Sequence, residues 1–225
     1  MRKWMVTGLV GMLLVSACAV LPGREKSGET VQLFNGENLD GWRAHLVDPA
    51  VAMEDVWSVK DGILVCRGEP FGYLYSEAEF TDFRLVVEWR WPEGLEPGNS
   101  GVLMRMSGEP PSFLTRCVEA QLKHDAAGDI WAFYGFKVAG DADRFVDVEH
   151  GVFERLTGVR RIQGAEKPVG EWNRYEITLQ GEHLELVING ELVNQAHGVT
   201  LESGPVGLQS EGGEIHFRTI ELTPL

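Results

Sequence analysis

The chain has 225 residues, 34 acidic against 20 basic, for a net charge of −14, and its 27 glycines outnumber any expectation for a helical protein. A field of that sign repels nucleic acid and anionic headgroups, so a nucleic-acid partner is excluded, whereas neutral sugars approach it without penalty. The length suits one large domain with a substantial core.

The N-terminus reads as an address. Met1-Arg2-Lys3 is a short basic segment, Trp4–Val15 is an apolar run, and Val15-Ser16-Ala17 places small residues before Cys18. That arrangement predicts a lipoprotein signal peptide over residues 1–17, with Cys18 lipidated after cleavage. The run is shorter than the roughly 20 residues a membrane span needs, so the lipid is expected to be the only membrane contact. Ala19 follows the cysteine, where an aspartate would favour retention at the inner membrane; the expected location is the cell envelope, at the outer membrane. Residues 18–29 mix Pro, Gly and charge without periodicity and read as a tether to a domain over residues 30–225.

From there the signals are those of strands. Asp61-Gly62 predicts a turn between Val56–Val59 and Ile63–Cys66. Phe83–Trp91 alternates, with Phe83, Leu85, Val87, Trp89 and Trp91 on one face. Val118–Lys123 alternates too, with Glu119, Gln121 and Lys123 on one side. Tyr175, Ile177 and Leu179 form a further inward set, followed by a tight Gln180-Gly181-Glu182 connection and an Asn189-Gly190 hairpin turn. Many short strands between closely spaced turns predict an all-β sandwich or jelly roll. Residues 137–170 carry only scattered apolar positions and read as a long irregular loop, either a binding loop or a solvated insertion. Cys66 and Cys117 sit in apolar strand contexts and are read as two buried thiols or as a disulfide.

Several strands present polar groups of mixed type. Asn99 and Arg105 lie on a segment leaving the Pro97-Gly98 turn, Glu119 and Gln121 on the next, and Gln209 near the C-terminus. Such a set suits a polyol, which offers alternating donors and acceptors. Lys123 and His124 follow the Glu-Ala-Gln run, and Trp131 and Tyr134 offer rings for a pyranose to stack on, or else fill the core. The six histidines show no local zinc spacing. The acidic stretch Asp141–Glu149 has charge for calcium but no proper ligand loop, so no cofactor is firmly expected and a divalent metal stays open.

Leu33-Phe34-Asn35-Gly36 through Gly41-Trp42, together with Trp57-Ser58-Val59-Lys60-Asp61-Gly62, Gly98-Asn99-Ser100-Gly101, Glu119-Ala120-Gln121-Leu122, Gly170-Glu171-Trp172-Asn173 and Gly207-Leu208-Gln209-Ser210-Glu211-Gly212, resembles the 3-keto-disaccharide hydrolase family in order and over nearly the whole chain. The resemblance implies a concanavalin-like jelly roll of two antiparallel sheets and an enzyme that cleaves or hydrates 3-keto-glycosides by proton abstraction at C2 and elimination at C1. With side-chain chemistry it suggests Glu119 as base, Arg105 or a metal ion as oxyanion partner, and Asn99, Gln121, Lys123, His124, Trp131 and Gln209 as substrate contacts. Where family members can carry an aspartate soon after the Glu-x-Gln strand, this chain reads Lys123-His124-Asp125. The alternative is a carbohydrate-binding lipoprotein without catalysis.

Overall fold

A computed structural model describes Met1 and residues 28–225. The expected signal segment, Cys18 and most of the tether lie outside the described residues. Among those that are described, no helix is long and apolar enough to cross a membrane.

The chain forms strands β1 (Val31–Gln32), β2 (Trp42–Leu46), β3 (Trp57–Lys60), β4 (Ile63–Cys66), β5 (Gly72–Ser76), β6 (Phe83–Arg90), β7 (Gly101–Ser107) and β8 (Arg116–Gln121). It continues through β9 (Ile130–Phe133), β10 (Phe145–His150), β11 (Glu154–Val159), β12 (Asn173–Gln180), β13 (His183–Ile188), β14 (Glu191–Ala196), β15 (Gly207–Ser210) and β16 (Ile215–Pro224). One helical turn, α1 (Met53–Val56), precedes β3. Sheet A runs β14-β13-β12-β6-β16-β4-β3, with β1 on β16; sheet B runs β10-β11-β9-β8-β7-β15-β5-β2. All pairings are antiparallel. The result is the all-β jelly-roll sandwich expected from the sequence.

Alternation decides which side chains meet between the sheets. Phe83, Leu85, Val87, Trp89 and Trp91 are all buried, as are Tyr175, Ile177 and Leu179 on the neighbouring strand. Val102, Met104, Val118, Ala120, Ile130 and Leu208 face them from sheet B. Removing the Trp89 ring would leave a large void in the centre of this layer. Trp89→Ala is expected to cost about 3–5 kcal/mol, read as a lowered chemical-denaturation midpoint.

The turns follow their residue types. Asn189 (φ 52°) and Gly190 (φ 85°) close β13–β14, and Asp61 (φ 53°) and Gly62 (φ 77°) close β3–β4, left-handed conformations that Asn, Asp and Gly tolerate. Cys66 and Cys117 are both free thiols, Cys66 in the core between the sheets and Cys117 in a smaller cluster on the far side of sheet B.

Residues 137–170 differ from the expected loop. They contain the β10–β11 hairpin, which extends sheet B at its edge. Every residue of β10 except Val146 is exposed, so neither face had to be apolar and no alternation marked it.

Candidate active site

The outward face of sheet B carries a second apolar cluster, built from Tyr73, Leu103, Met106, Leu114, Cys117, Phe133 and Phe153. Beside it opens a cavity of about 430 Å³ lined by Asn99, Glu119, Gln121, Lys123, Asp129, Trp131, His150, Phe153, Arg160, Gln209 and Glu211, among others. This volume falls in the usual range for small-molecule sites, roughly 300–1,000 Å³.

Register explains the assembly. Glu119 stands opposite Leu103 on one side and Trp131 on the other, so those side chains share the outward face. Two glycines clear the space they occupy. A Cβ on Gly101 would lie 1.8 Å from Glu119 Oε1, so the carboxyl group folds over the bare backbone of β7. A Cβ on Gly158 would lie 2.5 Å from Trp131 Cε3, so the indole lies across β11 in the same way.

Electrostatics sets these carboxyl groups apart from the rest of the acidic surface. Glu119 is 1% exposed, and burial pushes its carboxyl well above the usual range, helped by the nearby charges of Glu211 and Asp129. Burial also lifts Glu211 to about 7, against hydrogen bonds from Asn99 and Gln209 and the Lys123 ammonium, which favour its anion. Asp129 closes one wall. It accepts hydrogen bonds from Arg160 at 2.7 Å and from the Arg161 backbone at 2.8 Å, and Arg160 lies 4.6 Å from the Trp131 ring centroid. Three buried oxygens, Asn99 Oδ1, Glu119 Oε1 and Gln209 Oε1, accept no hydrogen bond from the protein. Buried acceptors are costly unless something donates to them, and these three line one hollow.

The structure therefore gathers Asn99, Glu119, Gln121, Lys123, Trp131 and Gln209 in one cavity. Gln121 contributes its amide nitrogen there, because its carbonyl oxygen accepts from the Leu122 and Lys123 backbones at 3.0 and 2.8 Å. Tyr134 instead bonds Ser112 through its hydroxyl at 2.7 Å and packs on Phe153.

Two expected site residues are elsewhere. Arg105 falls where the β7–β8 register shifts, between Met104 and Ser107, and takes a left-handed φ of 49°. The bulge turns its side chain away from Glu119. The guanidinium is fully buried, donating to the carbonyls of Thr81 (2.9 Å), Thr200 (2.7 Å) and Gly181 (2.9 Å) and to Asp82 (3.0 Å). With its donors committed across the sandwich, Arg105 is a structural clamp and lines no part of this cavity. Arg105→Leu is accordingly expected to destabilise the fold by roughly 3 kcal/mol, because it strands Asp82 and three carbonyls. Thermal melting checks this, and a fall in turnover at unchanged melting temperature would reverse the assignment.

His124 is the second correction. It turns from the cavity toward Glu166, 3.3 Å away, and Glu166 also accepts from the Asp125 backbone at 3.0 Å. His124, Asp125 and Glu166 bring ligand atoms within 4.8 Å of one another and are the described residues that could hold a divalent ion. Hydrogen bonds within the cluster already account for the arrangement.

Glu211, Asp129, Arg160 and His150 were not singled out as site residues from sequence. The signal for Glu211 was its place in the Gly207-Leu208-Gln209-Ser210-Glu211-Gly212 run, since β15 ends at Ser210 and strand period does not reach it.

The structure thus pairs a jelly-roll sandwich with an acid-lined, aromatic-walled hollow on one sheet. The chain belongs to the family of 3-keto-α-glucoside-1,2-lyase-like domains, which matches residues 29–223. No curated protein sequence matches the chain. Among solved structures it is similar to two candidate glycosyl hydrolases of Parabacteroides distasonis. One is 20% identical with a TM-score of 0.61, covering 88% of this chain and 100% of that one. The other is 17% identical with a TM-score of 0.60, covering 87% and 94%. It is also similar in fold to the carbohydrate-binding module CBM66 of Bacillus subtilis, 15% identical with a TM-score of 0.55 over 80% of this chain and 94% of that one.

Proposed function

We propose that the protein is an enzyme acting on 3-keto-glycosides, eliminating the C1 substituent after removing the proton at C2. The observation that carries this reading is a pair of carboxyl groups in one sugar-sized cavity, Glu119 buried and Glu211 half-buried, both with raised proton affinity. Glu119 stays neutral well above the usual range, while Glu211, near 7, is partly ionised at neutral pH. A reaction that begins by removing a proton next to a ketone needs a base for that proton and a donor for the oxygen that becomes negative.

Glu211 is the base in this scheme and Glu119 the donor, which reverses the role first assigned to Glu119. Glu211 takes the C2 proton, and the C2–H electron pair forms the enolate whose oxygen, O3, accepts a hydrogen bond from protonated Glu119. The pair then returns: the C3 carbonyl re-forms, a C1–C2 double bond forms, and the C1–O bond breaks. The proton held by Glu211 leaves with the departing alcohol, so Glu211 is restored. Water adding at C1, with a proton to C2, turns the elimination into net hydrolysis. Asn99, Gln121 and Gln209 hold hydroxyls, Trp131 faces the ring, and Lys123 favours the anion of Glu211.

A sugar-binding protein without catalysis would gain nothing from holding Glu119 neutral and Glu211 near 7. The two roles are separable. Glu119→Ala is expected to lower turnover of a 3-keto-glucoside at least a hundredfold, whereas Glu119→Gln, whose amide still donates, loses less. Undiminished turnover in Glu119→Ala would remove Glu119 from the chemistry.

The location is part of the same proposal. Small residues before Cys18, after a basic and apolar leader, support a lipoprotein held in the cell envelope by acyl chains on that cysteine. Metabolic labelling with a palmitate analogue, lost in Cys18→Ser, tests it.

A further inference from the structure

Much of the cavity wall is polar, but Phe133, His150 and Phe153 in its lining belong to a belt of rings. Phe113 comes from the β7–β8 loop, Phe133 and Tyr134 from the end of β9, His150 and Phe153 from the β10–β11 turn, and Phe71 from the segment before β5. Phe153 is the hub. Its ring centroid lies 5.6 Å from Phe113, 4.8 Å from Phe133, 5.6 Å from Tyr134, and 4.8 Å from His150, which stacks on it. Phe71 extends the belt outward, 5.4 Å from Phe113.

One feature separates this belt from ordinary core. It runs from inside the cavity to the surface: Phe133, His150 and Phe153 line the hollow beside Asn99 and Gln209, whereas Phe71 is 36% exposed. A site with polar walls and an apolar belt matches a ligand whose two halves differ in the same way.

We propose that the aromatic belt around Phe71, Phe113 and Phe153 is the leaving-group subsite, selecting glycosides whose departing alcohol carries an aromatic ring over those that release a second sugar. An aromatic aglycone packs offset or edge-to-face on rings of this kind and brings no hydroxyls to desolvate. The inference rests on the catalytic reading of the cavity and deepens it by naming the substrate class.

The test compares 3-keto-glucosides of methanol, benzyl alcohol and glucose. Methanol and benzyl alcohol leave with similar basicity, so a difference between them reports contact with the ring. The expected result is a kcat/KM at least about fivefold higher for benzyl alcohol as leaving group than for methanol or glucose, with the benzyl-to-methyl ratio falling toward unity in Phe71→Ala and in Phe113→Ala. A preference shared equally with glucosyl would overturn the selectivity for an aromatic ring. Equal kcat/KM values, or a preference that survives both substitutions, would overturn the proposal. Phe71 is at the surface, so its variant keeps the test valid should Phe113→Ala fold poorly. Calorimetric binding of unoxidised benzyl and methyl glucosides is measured alongside. Tighter benzyl binding that depends on Phe71, in a protein that turns over none of the three, would retire the catalytic reading and leave the ring-binding belt standing; no turnover with equal binding would end both.

Discussion

Replacing Glu211 by glutamine is expected to lower turnover of a 3-keto-glucoside by about 10²–10⁴-fold while making the fold more stable at neutral pH. Both effects have one origin. Glu211 lies in a hollow that disfavours its charge, which lifts its carboxyl to about 7 from an ordinary 4.5. A base needs a proton affinity close to the working pH, and burial supplies it. The acid limb of kcat/KM should therefore fall as pH drops through about 7, where Glu211 gains its proton. The same shift sets a stability slope. The unfolded chain ionises this group near 4.5 and the folded chain only near 7, so its stabilising contribution is complete below 4.5 and lost by about 7. The wild type should lose melting temperature relative to Glu211→Gln across that interval, and the variant should be roughly 2 kcal/mol more stable at neutral pH. Melting curves of the two proteins from pH 4.5 to 8 check the sign, and equal curves would show that Glu211 is not held protonated.

A single methyl group at Gly101 should be nearly as damaging to activity. Its Cβ would sit 1.8 Å from Glu119 Oε1 and 2.6 Å from Cδ, so the carboxyl group must leave its place. The obstacle it meets is the end of a flexible side chain, and alanine fits the extended backbone of a strand. Gly101→Ala is thus expected to keep its far-ultraviolet spectrum and melting temperature within a few degrees while losing about a hundredfold in kcat, because the donor is displaced from the developing oxyanion. Combining it with Glu119→Ala should add little further loss, since both changes remove the same group. An additive double variant would mean that Gly101 acts through something other than Glu119.

How much of this is legible in the sequence depends on what kind of force fixes each residue. The sandwich was legible because burial between sheets imposes a period of two, and Phe83–Trp91 and Tyr175–Leu179 obey it. The turns at Asp61-Gly62 and Asn189-Gly190 were legible because left-handed backbone restricts residue type. Glu119, Gln121 and Gln209 could be grouped because alternation fixes their face. Arg105 could not, since one bulge reverses the alternation at that residue and the sequence carries no mark of it. His124 was misplaced for a related reason: β8 ends at Gln121, and past a strand end the side-chain direction is no longer set by period. The β10–β11 hairpin escaped because β10 lies at a sheet edge with most of its side chains in water. The value of Glu211 near 7 comes from burial in the folded hollow, which outweighs Asn99, Lys123 and Gln209, and no local pattern encodes that burial.

Removal of the C2 proton by the half-buried carboxylate of Glu211 is the step on which the proposed activity depends. The most direct test incubates the purified domain with a 3-keto-glucoside in deuterated water and follows the sugar by NMR. The account predicts release of the alcohol together with an enone or a 3-keto sugar bearing deuterium at C2, and no such products with Glu211→Gln. Release of the alcohol with the C2 proton retained, or an unchanged rate in Glu211→Gln, would contradict it.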